Sequence, residues 1–225
     1  MIDTLNQLDH ELMLWLNYDG GTLQDAFWYA ISNMPSWIPF YIVILGVLAY
    51  GQRREAHPWR QYLTLLLFTA LIITAADHIS SGIIKPWVQR PRPSHQEGVM
   101  EFLHYVHDYH GGAFGFVSSH AADTFALATW VSLLFRRRAV TLTLILYAVL
   151  NCYSRIYLGV HYPGDILCGT ALGILCGWLL YRVYAWTCHR WQLQVRQTTD
   201  PRLIILTFWL TLGIMLGYAI FQAMA

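Results

Sequence analysis

The sequence predicts an all-α fold, namely a polytopic membrane helical bundle with six transmembrane helices and an amphipathic N-terminal helix. Of the 225 residues, 56% are hydrophobic and only 12% are charged, which is too apolar for a soluble domain of this size. The charged residues are also clustered, and they separate apolar runs that approach the length of membrane spans. We therefore expect residues 1–225 to form a single membrane-embedded domain.

The amphipathic helix is predicted over residues 4–16. Leu5, Leu8, Leu12 and Leu16 recur at helical spacing, with polar residues between them. This pattern is typical of a helix that lies along a membrane interface rather than crossing the bilayer. Two roles stay open for it: guiding a lipid into a site, or packing over the bundle as a lid.

Six apolar runs follow and are predicted as the spans. They cover residues 26–52, 61–84, 119–135, 139–154, 166–184 and 203–225, and the first span is expected to be centred on residues 37–50 of its run. Several of the middle runs are shorter than the roughly 20 residues needed to cross a bilayer, so we expect their charged ends to lie inside a polar cavity. Asp77 interrupts the second run beside His78; a hydrogen bond to a neighbouring helix is favoured over a proton relay.

The positions of the basic residues predict the orientation. In a six-span arrangement ten arginines fall on one side, namely Arg53, Arg54, Arg60, Arg136, Arg137, Arg138, Arg182, Arg190, Arg196 and Arg202. The other side has Lys85, Arg90, Arg92 and Arg155. Because basic residues accumulate in the cytoplasm, the long loop of residues 86–117 should face the periplasm or exterior of a cytoplasmic (inner) membrane. An anionic ligand would account for the four exceptions.

The first candidate cluster occupies residues 85–93. Lys85 and Arg92 are seven residues apart, and prolines stiffen the chain between them. Two cations at the membrane surface suit a multiply charged oxyanion. The alternative is that their side chains only reach towards lipid headgroups.

The second cluster occupies residues 115–120 and immediately precedes the third span. If a helix begins near residue 119, its free backbone amides bind an anion, with the hydroxyls of Ser118 and Ser119 assisting. His120 then lies beside that anion. Ser119 is a poor nucleophile for His120, because adjacent residues on a helix do not face each other.

The third cluster occupies residues 154–165 and contains Arg155, His161 and Asp165. If Pro163 and Gly164 open a helix, the carboxylate of Asp165 can accept a hydrogen bond from one ring nitrogen of His161. The other nitrogen then stays basic and can attack an electrophile. Arg155 is a planar cation suited to a pair of phosphate oxygens. The alternative is a helix start whose histidine only satisfies local hydrogen bonds.

All three clusters fall on one side of the six-span arrangement, where we expect them to meet. Together they provide three cations, anion-binding amides and two histidines, one of which has a carboxylate partner. Phosphoryl transfer through a covalent phosphohistidine requires these groups: positive charge for the phosphate oxygens, a nucleophile and an acid for the leaving group.

The three clusters resemble the tripartite signature of the type 2 phosphatidic acid phosphatase superfamily, a group of membrane lipid phosphatases. About 80 residues carry the resemblance, in the order Lys85-x6-Arg92-Pro93, Ser118-Ser119-His120 and Ser154-Arg155-x5-His161-x3-Asp165. The second motif departs from the usual Pro-Ser-Gly-His, because Val117 and Ser119 occupy the proline and glycine places.

This resemblance implies a metal-independent phosphatase of six helices that needs no cofactor. His161 would be the nucleophile, Asp165 would orient it, and His120 would act as general acid and later activate water. The phosphate would be bound by Lys85, Arg92, Ser118 and Arg155, with Ser119 next to them.

The expected activity is hydrolysis of a phosphomonoester or diphosphate on an envelope lipid. The run of residues 111–120 resembles bacterial members of this superfamily that are linked to envelope lipids. This resemblance favours undecaprenyl diphosphate or lipid A over phosphatidylglycerol phosphate and phosphatidic acid. A lipid-to-lipid phosphotransferase stays open; an anion transporter fits less well, because the ionisable residues crowd at one end of the spans.

The expected partners are the lipid phosphate and the membrane. A net charge of +1 gives no indication of a nucleic-acid partner, and no oligomeric state is predicted. The loop histidines are interpreted as solvated side chains rather than metal ligands, although His107 and His110 are only three residues apart.

Overall fold

The computed structural model describes residues 2–53, 57–197 and 199–225, and it confirms the predicted all-α membrane bundle. The helices are α1 Ile2–Leu16, α2 Gly21–Ser32, α3 Ile38–Gly51, α4 Pro58–Asp77, α5 Lys85–Val88, α6 Ser119–Phe135, α7 Arg138–Tyr157, α8 Pro163–Arg190 and α9 Arg202–Met224.

Five helical segments are long and apolar enough to span a membrane. They are Met34–Gly51, Pro58–Val88, Arg138–Tyr157, Pro163–Arg190 and Arg202–Met224. The sixth predicted span coincides with α6, whose 17 residues extend over about 26 Å, slightly less than the hydrocarbon core of a bilayer. Helix α6 packs against α4, α7 and α8, so protein rather than lipid surrounds much of it. The count of six spans is therefore approximate.

The first uncharged run, residues 26–52, is divided in the structure, and the span predicted around residues 37–50 coincides with α3. Helix α2 ends at Ser32, and a single 3-10 turn over Met34–Trp37 leads into α3. Pro35 favours this break, because proline cannot donate a backbone hydrogen bond within a continuing helix. Helix α2 packs against α7 and α9 instead of extending α3.

Helix α4 continues into α5 through a π-helical segment, His78–Ile84. Asp77 lies at this junction and is exposed, and its carboxylate accepts a hydrogen bond from the Ser81 hydroxyl at 3.1 Å. The predicted hydrogen bond from Asp77 to a neighbouring helix is therefore wrong; its partner is one turn further along the same helix. π-Helical turns often occur near functional sites, and this one immediately precedes Lys85.

A stripe of glycines allows α8 to pack closely against α6. A Cβ atom on Gly169 would lie 2.5 Å from the Ser118 carbonyl oxygen, so no larger residue fits at this crossing. The close approach brings the first turns of the two helices together, and the Ser118 amide donates to the Asp165 carbonyl at 3.1 Å. The stripe consists of Gly169, Gly173 and Gly177.

Helix α1 packs against α7 and α8 at the end of the bundle that carries the three motifs. Met13 is fully buried among residues that include Ile156 and Tyr162. Another face of α1 is apolar and exposed; it carries Leu5, Leu8, Leu12 and Trp15. The predicted amphipathic helix is thus present, with one face on the protein and an apolar face available to the membrane interface.

Candidate active site

The start of α8 fixes the geometry of His161 and Asp165. Pro163 is the first helical residue, as predicted, and its fixed φ angle suits that position. Asp165 is the third, and its Oδ2 accepts a hydrogen bond from the Tyr162 amide at 3.1 Å, as in a capping box. The same oxygen lies 3.4 Å from Nδ1 of His161. The other ring nitrogen, Nε2, is buried and has no hydrogen-bond partner among the described residues.

His161 is an uncharged base in this environment. Burial lowers the pKa of His161 well below its usual value, and the nearby charges of Arg92, Arg155 and Lys85 lower it further. The imidazole is therefore neutral at neutral pH. The carboxylate beside Nδ1 favours a proton on that nitrogen, which leaves the lone pair on Nε2.

Arg92 is held in place by carbonyl groups on two segments. Its Nε donates to Phe114 at 3.1 Å, and its terminal nitrogen donates to Val160, immediately before His161, at 3.2 Å. Burial and the neighbouring Arg155 lower the pKa of Arg92 to about 10, so it keeps its charge at neutral pH. The guanidinium is thus a fixed positive charge beside His161.

Arg155 lies in the last turn of α7 and is only 4% exposed. One terminal nitrogen donates to the Ser32 hydroxyl, and the other donates to the Tyr109 hydroxyl at 3.1 Å. Its Nε has no hydrogen-bond partner among the described residues and remains available to an oxyanion. The charged end of α7 does lie inside a polar part of the protein, as predicted for the short spans.

The side chain of Lys85 contacts the first residue of α6. Its ammonium group donates to the Ser119 hydroxyl at 3.2 Å and lies 3.5 Å from the Ser81 hydroxyl. Ser118 is the N-cap of α6, and its hydroxyl accepts a hydrogen bond from the Ala121 amide. Helix α6 therefore begins where the sequence predicts, with one serine capping the helix and the other against a cation.

His120 lies in the first turn of α6, within electrostatic range of His161 and of the three motif cations. With Arg155, Tyr109 and Ser32 it lines a cavity of about 260 Å³. The structure thus brings together all eight residues singled out in the sequence, namely Lys85, Arg92, Ser118, Ser119, His120, Arg155, His161 and Asp165.

Arg90 does not face a ligand site, although the sequence led us to expect that all four cations on this side would bind an anionic ligand. It donates to Oδ1 of Asp165 at 2.9 Å and to Oδ2 of Asp9 at 2.7 Å, so two carboxylates of the protein already satisfy it. Sequence reasoning missed Asp9 as part of the site. The amphipathic pattern gave no signal for it, because Leu5 and Leu12 lie four and three residues from Asp9 on the same side of α1. No spacing rule connects residue 9 with residue 90.

Two of the loop histidines pair with carboxylates. His104 Nε2 lies 2.7 Å from Asp25, which also accepts a hydrogen bond from Tyr157 at 2.6 Å. His110 lies 2.9 Å from the exposed Asp108. Asp19, Asp25 and His104 come close enough to hold a metal ion, but the short contact of His104 to Asp25 is that of a hydrogen-bonded pair.

Comparison with known proteins agrees with the motifs. Residues 59–188, more than half of the chain, match the model of the PAP2 superfamily. A lipid A 4'-phosphatase from Bacteroides thetaiotaomicron is 37% identical over 182 residues, which cover 80% of this chain and 79% of that protein. One from Porphyromonas gingivalis is 34% identical over 82% of this chain and 76% of its own length. The undecaprenyl-diphosphatase BcrC of Bacillus subtilis is 37% identical over 81 residues, 35% of this chain and 41% of BcrC.

Two crystal structures share the arrangement of helices. The PAP2-type phosphatidylglycerolphosphate phosphatase of Bacillus subtilis aligns with a TM-score of 0.60 at 18% identity, over 81% of this chain and 87% of its own, and shows the fold. Aquifex aeolicus LpxE aligns with a TM-score of 0.52 at 25% identity, over 76% of this chain and 93% of its own. All three motif clusters lie within the matched residues 59–188. These findings favour an enzyme over the anion transporter that the sequence left open: the chain belongs to the PAP2 superfamily and is a membrane lipid phosphatase.

Proposed function

We propose that the protein dephosphorylates an envelope lipid at the outer face of the cytoplasmic membrane through a phosphohistidine on His161. The observation that carries this proposal is the buried Nε2 of His161, which lacks a partner among the described residues and is surrounded by cations. A neutral imidazole whose Nδ1 faces a carboxylate is a suitable nucleophile for phosphorus. Its position beside fixed charges stabilises the developing negative charge.

The reaction has two balanced steps. First, Nε2 of His161 attacks phosphorus, the N–P bond forms, and the bond from phosphorus to the lipid oxygen breaks while His120 donates a proton to that oxygen. Second, His120 takes a proton from water as the water oxygen bonds to phosphorus and the N–P bond to His161 breaks, which releases inorganic phosphate and restores the free imidazole. Asp165 holds the imidazole and stabilises its positive charge in both steps.

The phosphate oxygens would be bound by fixed donors from three segments. Arg92 and Arg155 approach from the loop and from α7, and the free Nε of Arg155 suits one oxygen. Lys85 and the start of α6 provide the remaining charge and amide donors. The proposed ligands are Lys85, Arg92, Ser118, Ser119 and Arg155.

The lipid A 4'-phosphate is the favoured substrate, with undecaprenyl diphosphate as the alternative. Both relatives that match about four fifths of this chain are lipid A 4'-phosphatases, whereas the undecaprenyl-diphosphatase matches 35% of it. A mainly apolar cavity of about 270 Å³, lined by Tyr41, Leu127 and Tyr147, also fits a lipid. Met34 lines both this cavity and the one at His120, so the binding sites for an apolar chain and for a phosphate would be adjacent.

The positions of the charges support an active site on the periplasmic side. Helix α6 begins at the site and ends at Phe135, next to three consecutive arginines over residues 136–138. Because basic residues accumulate on the cytoplasmic side, the start of α6 would face the periplasm.

The test is phosphate release by purified protein from lipid A and from undecaprenyl diphosphate, with excess chelator present. We expect chelator-resistant release, faster from lipid A, and its abolition by His161→Ala. His189→Ala is the matched control, because His189 is an exposed histidine at the far end of α8. Chelator-sensitive turnover or an active His161→Ala variant would contradict the mechanism, and transfer of phosphate to a second lipid would identify a phosphotransferase instead.

A further inference from the structure

Arg90 links two carboxylates that are distant in sequence. One terminal nitrogen donates to Asp165 and the other donates to Asp9. The exposed fractions of the three side chains are 19% for Arg90, 12% for Asp9 and 0% for Asp165. Because the guanidinium is planar, fixing one of its nitrogens on Asp9 also fixes the direction in which the other meets Asp165.

Asp9 has a second contact beside the catalytic pair. Its Oδ1 accepts a hydrogen bond from the Gly164 amide at 2.7 Å. Gly164 lies in the first turn of α8, where backbone amides lack partners within the helix. A carboxylate at this position is stabilised by the helix dipole as well as by the hydrogen bond. Asp9 therefore contacts both neighbours of Asp165, the guanidinium of Arg90 and the start of α8.

Tyr162 limits the movement of Arg90 from one side. The guanidinium carbon lies 4.2 Å from the centre of the tyrosine ring, and His10 of α1 stacks with the same ring at 5.0 Å. Tyr162 also donates its amide to Asp165. The guanidinium is thus confined by an aromatic ring and by two carboxylates, which suits a positioning role.

These contacts divide the two oxygens of Asp165 between different partners. Oδ1 accepts from Arg90, and Oδ2 faces the Tyr162 amide and Nδ1 of His161. Removing Arg90 would leave a fully buried carboxylate without its direct ion-pair partner and free to rotate away from the imidazole. The orientation of His161 thus depends on Arg90, and that of Arg90 depends on Asp9.

We propose that Asp9 and Arg90 are positioning residues for the lipid phosphatase reaction, so that α1 is part of the active site. This proposal rests on His161 being the nucleophile. Asp9 and Arg90 act through Asp165 and do not contact the phosphate. The contact also joins the active site to the membrane surface, because the helix that carries Asp9 also carries the exposed Leu5, Leu8 and Leu12.

The rest of α1 is anchored independently of Asp9, which makes the test feasible. Met13 is buried against Tyr162 and its neighbours. Asn17, just beyond the helix, donates to the Tyr157 carbonyl at 2.6 Å and accepts from the His104 amide at 2.7 Å. A substitution of Asp9 by the isosteric asparagine should therefore remove its charge without releasing the helix.

The experiment measures kcat and KM for a lipid phosphate, and inhibition by inorganic phosphate, in Asp9→Asn, Arg90→Gln and the double variant. A hydrogen bond to a charged group contributes about 1.5–3 kcal/mol, so we expect kcat to fall about 10- to 100-fold in Arg90→Gln and about 10-fold in Asp9→Asn. KM and phosphate inhibition should change less than about twofold. The double variant should be no slower than Arg90→Gln, because Asp9 acts through Arg90.

Matched controls are Glu11→Gln and Arg202→Gln. Glu11 is an exposed carboxylate on the same helix, and Arg202 is an exposed arginine paired with Asp200. Both should retain the wild-type kcat. Arg90→Lys should recover part of the loss, because an ammonium group keeps the charge but makes only one of the two contacts.

Two outcomes would overturn the proposal. If Asp9→Asn keeps the wild-type kcat, Asp9 has no positioning role in the active site. If Arg90→Gln weakens inhibition by phosphate by the same factor as it lowers kcat, Arg90 binds the phosphate directly. Either result would leave His161→Ala inactive, whereas activity in His161→Ala would instead contradict the proposed nucleophile. The activity of His161→Ala therefore distinguishes failure of the positioning role of Asp9 and Arg90 from failure of His161 as the nucleophile.

Discussion

Gly115 shows how closely the residues of the candidate active site approach one another. A Cβ atom added to Gly115 would lie 2.8 Å from Oδ2 of Asp165 and 3.4 Å from Cγ of Arg92. The Gly115 amide also donates to the Arg90 carbonyl at 2.9 Å, which holds the loop in place. The long loop therefore forms one wall of the site, and only glycine fits at this position.

We predict that Gly115→Ala lowers kcat about 10- to 100-fold, because the added methyl group pushes the Asp165 carboxylate away from His161. Steady-state kinetics on a lipid phosphate measures the change. Gly112→Ala is the control, since a Cβ atom there meets no other atom within 4 Å. Equal rates in the two variants would show that the loop moves away from Asp165 during turnover.

The sequence predicts the contacts of the candidate site wherever local geometry determines them. His161 and Asp165 are four residues apart, and Pro163 marks the helix start that brings them together. The contact between Asp9 and Arg90 spans 81 positions, so no local pattern contains it. Arg90 also resembles its neighbour Arg92 in the sequence, and only tertiary structure shows that one pairs with carboxylates and the other with carbonyl groups.

Among the helices, α6 and α8 determine the position of the site, because their first turns carry residues of the second and third motifs. Their crossing uses the small residues that membrane helices commonly place at close contacts. The four-residue spacing of Gly169, Gly173 and Gly177 predicts close helix packing here, and the apolar run of residues 119–135 predicts the bounds of α6. The sequence does not predict the break after α2, because the uncharged run of residues 26–52 shows no charge boundary where the chain changes direction.

We predict that Gly173→Ala destabilises the bundle, because its Cβ atom would collide with the backbone carbonyl of Ala122 on α6. Overpacking of this kind costs about 1–3 kcal/mol, which should lower the midpoint of thermal unfolding in detergent. Gly213→Ala on α9 is the control, since a Cβ atom there has no neighbour within 4 Å. An unchanged midpoint for Gly173→Ala would mean that α6 and α8 separate at little cost.

At the scale of the whole molecule, the adjoining polar and apolar cavities suit an amphiphilic substrate. The cavity at His120 lies beside fixed charge, and the apolar cavity is lined by residues of α3, α4, α6 and α7. The sequence predicts the polar part, because its residues form recognisable motifs. It does not predict the apolar cavity, whose lining is drawn from hydrophobic side chains spread over four helices without a distinguishing pattern.

Enlarging a side chain that lines the apolar cavity should weaken lipid binding without affecting the polar cavity at His120. Leu127 is 7% exposed and lines that cavity two turns beyond His120 on the same helix. Leu127→Trp should displace part of the lipid chain from the cavity. Each buried methylene group contributes about 0.8 kcal/mol to binding, so loss of about two of them should raise KM for the lipid about tenfold. A short water-soluble phosphomonoester does not reach the cavity, so its hydrolysis should be unchanged and would show that the variant is folded.

Leu142→Trp provides the control for a larger side chain on a membrane helix, because Leu142 is 67% exposed on α7. An unchanged KM for the lipid in a Leu127→Trp variant that still hydrolyses the soluble phosphate would place the lipid chain outside this cavity, because a chain bound against Leu127 could not keep its contacts beside the larger indole ring.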